Sequence, residues 1–126
     1  MKSVLDNLRY TDWYTDSTNI EFNAFSLIVR TGDSLPLQKF KITFKRSVYI
    51  GAFNEFARNL DAEDRKDHII HRHQNSALMK WIEDYTIIFA TEIKKEEAKH
   101  FSILLSDNIY HVVSFEPPTI QKLYQV

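Results

Sequence analysis

Cysteine is absent from the 126 residues, which removes disulfide frameworks, thiolate metal sites and thiol nucleophiles together. Such a chain suits a reducing cytoplasm. Glycine occurs twice and proline three times, too few for collagen-like, repeat or low-complexity architectures. With Gly32 and Gly51 as the sole glycines, no Gly-x-Ser-x-Gly elbow, Walker-type loop or dinucleotide fingerprint can be written. His-Glu-x-x-His is missing too. Ordinary nucleotide-binding and serine-hydrolase classes are thereby disfavoured. Met1-Lys2-Ser3-Val4-Leu5-Asp6 contains no apolar signal core, and no later run approaches the ~20 residues that span a bilayer. The expectation is a cytoplasmic protein with no membrane role.

What is present is enough for one real core. Apolar residues make up 44% and aromatics 13%, with nine Phe, six Tyr and two Trp, and the length suits a single domain over 1–126. The net charge of −1 advertises neither nucleic acid nor an anionic membrane. Charge is uneven along the chain, however. Residues 1–60 carry eight basic and six acidic side chains, and residues 61–126 eight and eleven. The acidic half is where a basic partner is expected.

The clearest local signal is His100–Phe115. Two β-rich runs flank Asp107-Asn108, residue types that tolerate the positive φ of a tight turn. With those two as the loop, Leu105 pairs with Tyr110, Ile103 with Val112 and Phe101 with Ser114. Phe101, Ile103, Leu105, Tyr110 and Val112 then face the core. His100, Ser102, Leu104, His111, Val113 and Phe115 form a mixed opposite face that meets solvent or a partner.

Upstream, Ile20–Arg30 is β-like with a slip near Ala24-Phe25 that suits a bulge. Trp13 and Tyr14 are expected over the core edge. Leu37–Ile50 alternates, with Phe40, Ile42 and Phe44 inward and Lys39, Lys41, Thr43 and Lys45 outward, until Gly51 breaks it. Phe53, Phe56, Ala57 and Leu60 recur at helical spacing, and a further helix is expected from Asp61–Asp64 towards His73. Residues 76–93 match both a helical and a strand pattern, with a short helix or turn near 76–83 and then a strand over about 85–93 favoured, and Pro117-Pro118 ends the last strand. The resulting class is α+β, an antiparallel sheet of about five strands with helices packed on it.

Three of five histidines lie in Asp64-Arg-Lys-Asp-His68-Ile-Ile-His71-Arg-His73. On a helix Asp64, His68 and His71 share a face, a ligand set suited to zinc, iron or manganese. No matching further ligands follow, so neither metal nor cofactor is expected. His100 and His111 do not complete it, since in the register above they stand roughly 13 Å apart along the hairpin. The same histidines with Lys66 or Arg72 offer a small hydrolase or nuclease as an alternative. A nucleic-acid-binding regulatory protein reading through Lys39, Lys41 and Lys45 is another. Base stacking needs exposed rings, and alternation points Phe40 and Phe44 away from those lysines.

A small, cysteine-free, near-neutral chain without catalytic motifs resembles the immunity proteins of bacterial contact-dependent growth inhibition and related polymorphic toxin systems. The resemblance lies in size and architecture, with the closing hairpin and Ser114-Phe-Glu-Pro-Pro-Thr-Ile120 as its most suggestive segment. It implies a non-enzymatic protein that neutralises one cognate toxin domain by tight binding. From the residues themselves, Glu83, Asp84, Asp107, Tyr110 and Glu116 are the expected contacts, acids and an aromatic placed where a sheet edge presents them to a basic partner.

Overall fold

The computed structural model describes residues 10–21, 24–33, 35–54, 69–74, 76–85 and 97–123. A 3₁₀ turn, Tyr10–Asp12, leads into β1 (Trp13–Glu21), β2 (Ala24–Thr31), β3 (Lys39–Lys45) and β4 (Ser47–Asn54). Then come β5 (Ile70–His73), helix α1 (Ala77–Tyr85), β6 (Lys99–Leu104), β7 (Asn108–Ser114) and β8 (Thr119–Lys122). They build two antiparallel sheets of four strands, ordered β1-β2-β3-β8 and β4-β7-β6-β5.

Strict alternation of buried and half-buried residues along β2 and β3 gives the first sheet one apolar face, formed by Trp13, Phe25, Leu27, Val29, Phe40, Ile42 and Phe44. It packs on Ile69, Phe101, Ile103, Leu105, Tyr110 and Val112 of the second sheet, in the manner of a β-sandwich. Rings interlock across the gap: Phe25 with Tyr110 at 6.1 Å and Phe44 with Phe101 at 5.6 Å between centroids. The second sheet is buried on its other face as well. There Met79 and Ile82 of α1 join Ala98 and Val113, with Val48, Tyr49, Leu78 and Phe115 at the margin.

The α+β expectation is therefore wrong. Among the described residues one α-helix accompanies two sheets, and three misread junctions explain the difference. The slip near Ala24 is a chain reversal, since Glu21 pairs with Ala24. The long alternating run 37–50 changes sheets at Arg46, where φ is +55°. Ser114 Oγ–H donates to Lys45 O at 3.0 Å, Phe115 N–H donates to Arg46 O at 3.3 Å, and the guanidinium lies 4.9 Å from the Phe115 ring centroid. Finally, Pro117-Pro118 ends β7 but not the fold, because β8 returns to pair with β3.

Other expectations move with these. Gly51 does not break β4; it pairs with His111 mid-strand, and a Cβ there would meet Tyr49 Oη at 3.0 Å. Trp13 sits wholly inside the core rather than over its edge. His71 and His73 lie on strand β5, not a helix. Phe53 belongs to β4, while Phe56–His68, with Asp64, and the strand expected over 86–93 lie outside the described residues. The helix expected near 76–83 is present as α1, and Tyr85 is its last residue.

The closing hairpin forms with its core face as expected, and Phe101, Ile103, Leu105, Tyr110 and Val112 are all buried in the core. Its register differs by two residues. Leu104 pairs with Ile109, Ile103 with Tyr110 and Phe101 with Val112. Because side chains alternate with period two, a two-residue shift keeps every side chain on its face while changing every neighbour.

Candidate functional site

The shift in register has a chemical consequence. On the outer face of the second sheet Ser102 pairs with both His71 and His111, and His100 pairs with His73. Four of the chain's five histidines thus collect at one place, all of them buried. The expected 13 Å separation of His100 and His111 along the hairpin is overturned: His100 Nε2 lies 2.9 Å from His111 Nδ1.

The contacts form a connected network. His100 Nδ1 meets Ser76 Oγ at 2.7 Å, and His73 Nε2 meets Ser102 Oγ at 2.7 Å. The His73 and His100 rings stack with centroids 4.3 Å apart, and those of His100 and His111 are 5.1 Å apart. His100 is only 1% exposed. Ser76 stands between β5 and α1 and caps the helix: its Oγ accepts from Met79 N–H at 3.2 Å, and its carbonyl accepts from Lys80 N–H at 3.2 Å. A serine before an apolar helical run is the usual N-cap signal.

Beside this network opens a groove of about 740 Å³, lined by Arg72, His73, Ser76, Lys80, Lys99 and His100 among others. It carries three cations, Arg72, Lys80 and Lys99, and one acid, Glu83. Among the described residues no three His, Asp or Glu side chains are arranged to hold a metal ion. His73 Nε2, both ring nitrogens of His100 and His111 Nδ1 are engaged in the hydrogen bonds above.

The expected partner contacts are dispersed. Glu83 and Asp84 are exposed on α1, and Asp84 pairs with Lys80 at 3.7 Å. Asp107 is half-buried and turned inward, accepting from Thr15 N–H at 3.1 Å and Thr15 Oγ1–H at 3.3 Å. Tyr110 is buried with its hydroxyl 3.0 Å from Thr15 Oγ1, so its place as an exposed anchor is corrected to a core role. Burial raises its pKa above the usual phenol value, Asp107 adds to the rise, and hydrogen bonds from Thr15 and Asn108 oppose it. Glu116 is half-buried, its N–H bonded to Ser114 Oγ. The lysine face of β3 carries no ring, since Phe40, Ile42 and Phe44 all point into the core, and Lys39 is tied to Asp16 at 3.4 Å.

Comparison with known proteins finds no matching family model, curated protein or solved structure.

Sequence reasoning missed two features of this region. One is the Ser76–His100–His111 chain, whose signals were the N-cap pattern at Ser76 and the shared parity of His100, Ser102 and His111 on the hairpin. The other is Tyr85, 76% exposed at the end of α1 beside Trp81, which is 48% exposed, with the two rings 6.2 Å apart. Their spacing of four residues was legible, but it reads equally well as a buried stripe.

Proposed function

We propose that this chain is a cytoplasmic binding protein that neutralises a basic protein partner, a cognate toxin domain, by masking its surface. The observation that carries the reading is the exposed aromatic stripe of α1. Trp81 and Tyr85 stand open to solvent, and Tyr49 backs Trp81 at 6.3 Å. Asp84 follows Trp81 by three residues and Glu83 flanks the stripe, so the aromatics are bordered by acids. Large rigid rings supply binding energy at low entropic cost, whereas neighbouring carboxylates steer a basic partner and set the salt dependence of encounter. The helix is held from beneath by Met79 and Ile82, which presents the stripe on a fixed element rather than a loop.

Co-expression with the toxin domain encoded by the adjacent gene tests this reading. Cells should survive only with the intact chain, and a one-to-one complex should persist through gel filtration. Trp81→Ala should weaken the complex by about 2 kcal/mol or more, and Asp84→Lys should slow association most at low salt. Equal killing with and without the chain, and no complex, would refute it.

A further inference from the structure

Beyond the binding reading, and independently of it, we propose that Ser76, His100 and His111 form a nucleophilic centre that hydrolyses a small, negatively charged carboxylic ester held in the adjacent groove. A serine hydroxyl becomes a nucleophile when a base lies within hydrogen-bond reach and a third group orients that base. Such constellations are recognised by geometry and not by sequence position. Here the nucleophile–base contact is 2.7 Å, and the base–orienter contact is 2.9 Å on the opposite ring nitrogen. The productive arrangement has Ser76 Oγ–H donating to His100 Nδ1, and His100 Nε2–H donating to His111 Nδ1.

The surroundings fit the chemistry. Ser76 lies in a strand-to-helix connection, between β5 and α1, and the bond from Met79 N–H fixes its Oγ at the positive end of the nine-residue helix. The amides of Ala77 and Leu78 in that first turn have no intrahelical carbonyl to serve and suit a developing oxyanion. Ser76 and His100 both line the groove, which sets the pair at the wall of the space an ester would fill. Arg72 and Lys99 favour a substrate carrying a carboxylate, while Lys80 is paired with Asp84 and Glu83 stands on the opposing side of the balance.

The step balances without a cofactor. Oγ bonds to the ester carbon as its proton passes to His100 Nδ1, and the carbonyl π pair moves to oxygen. Collapse of the adduct breaks the carbon–alkoxide bond, and His100 returns the proton to the departing alcohol. Water then repeats the sequence on the acyl-serine, releasing the acid and restoring Ser76. His111 acts as a positioning residue, holding the tautomer and tilt of His100.

The test uses the full chain, a fluorophosphonate probe and two chromogenic esters, 4-nitrophenyl acetate and the mono-4-nitrophenyl ester of succinate. Intact-mass and peptide mapping should show one adduct per chain at Ser76, and the anionic ester should be cleaved faster than the neutral one. Ser76→Asp keeps a capping oxygen but no nucleophile, so it should fold, take no adduct and lose turnover. His100→Gln should slow labelling by about a hundredfold or more. His111→Asn, whose Oδ1 replaces Nδ1 as acceptor, should retain most of the rate that His111→Ala loses. A folded parent chain left unmodified at Ser76, or ester cleavage no faster than that of Ser76→Asp, would overturn the proposal.

Discussion

At the scale of single residues, the most informative group is the polar clasp that joins the two sheets at one end. The register of β1 against β2 shifts between Thr15 and Ser17. Thr15 N–H, next to that irregularity, bonds Asp107 in the turn between β6 and β7, and Tyr110 Oη meets Thr15 Oγ1. The tyrosine is neutral in the fold and its pKa lies above the ordinary phenol value of about 10. For an acid raised on folding, the unfolded chain loses its proton first, so stability is complete below pH ~10 and falls as pH rises through the folded value. Urea unfolding between pH 8 and 11 should show that decline, and Tyr110→Phe should flatten it. The same variant should lose about 1 kcal/mol at neutral pH through its missing hydrogen bond. Arg46 gives a second residue-scale outcome. A non-glycine residue at φ +55° is strained by about 1–2 kcal/mol, while the guanidinium over Phe115 returns about 0.5–1 kcal/mol. Arg46→Gly exchanges one for the other and should stay within about 1 kcal/mol of the parent. Arg46→Val keeps the strain and loses the contact, and should fall below Arg46→Gly in the same denaturation assay.

Among the elements, the β6–β7 hairpin carries the molecule. Its inner residues meet the first sheet, and its outer residues meet α1 and the histidine network, so both faces are buried. Ile103→Ala or Val112→Ala should cost about 2–4 kcal/mol, because each leaves a cavity in packed surroundings. Equal substitutions at Ile20 or Ile120, exposed on β1 and β8, should cost far less, and equilibrium denaturation of the four variants would decide it. The core parity of this hairpin was legible from its alternating apolar residues. Its register was not, because Asp107-Asn108 satisfies a two-residue turn on local grounds while Leu105 N–H in fact bonds Asn108 O at 2.9 Å. Pinning of Asp107 by Thr15, some ninety residues away in sequence, is a tertiary interaction that local turn chemistry does not contain.

For the whole molecule, the two sheets share the larger cluster of buried side chains, and the cluster between α1 and the second sheet is the smaller one. Unfolding should therefore be a single cooperative transition, with near-ultraviolet and far-ultraviolet circular dichroism tracing the same curve in urea. Two separated transitions would show that the sheets are independently stable. Among the described residues no helix is long and apolar enough to cross a membrane.

Composition and period by themselves determined a good deal. They excluded thiol chemistry and glycine-rich phosphate loops, placed Phe40, Ile42 and Phe44 inward and the lysines of β3 outward, and oriented Phe101, Ile103, Tyr110 and Val112 to the core. They favoured a short helix or turn near 76–83, where α1 lies. These are properties of a residue type or of spacing within one element, and they survive whatever the rest of the chain does. Tertiary structure alone decided the rest. Glu21–Ala24 and Arg46 carry no glycine or proline to announce a reversal or a corner, so continuous alternation concealed where one sheet ended and the other began. Four histidines from three strands became neighbours only once strand order and register were set, and Ser76 joined them only when α1 docked on that sheet. Pairing across a sheet is a relation between distant segments, and no local pattern encodes it.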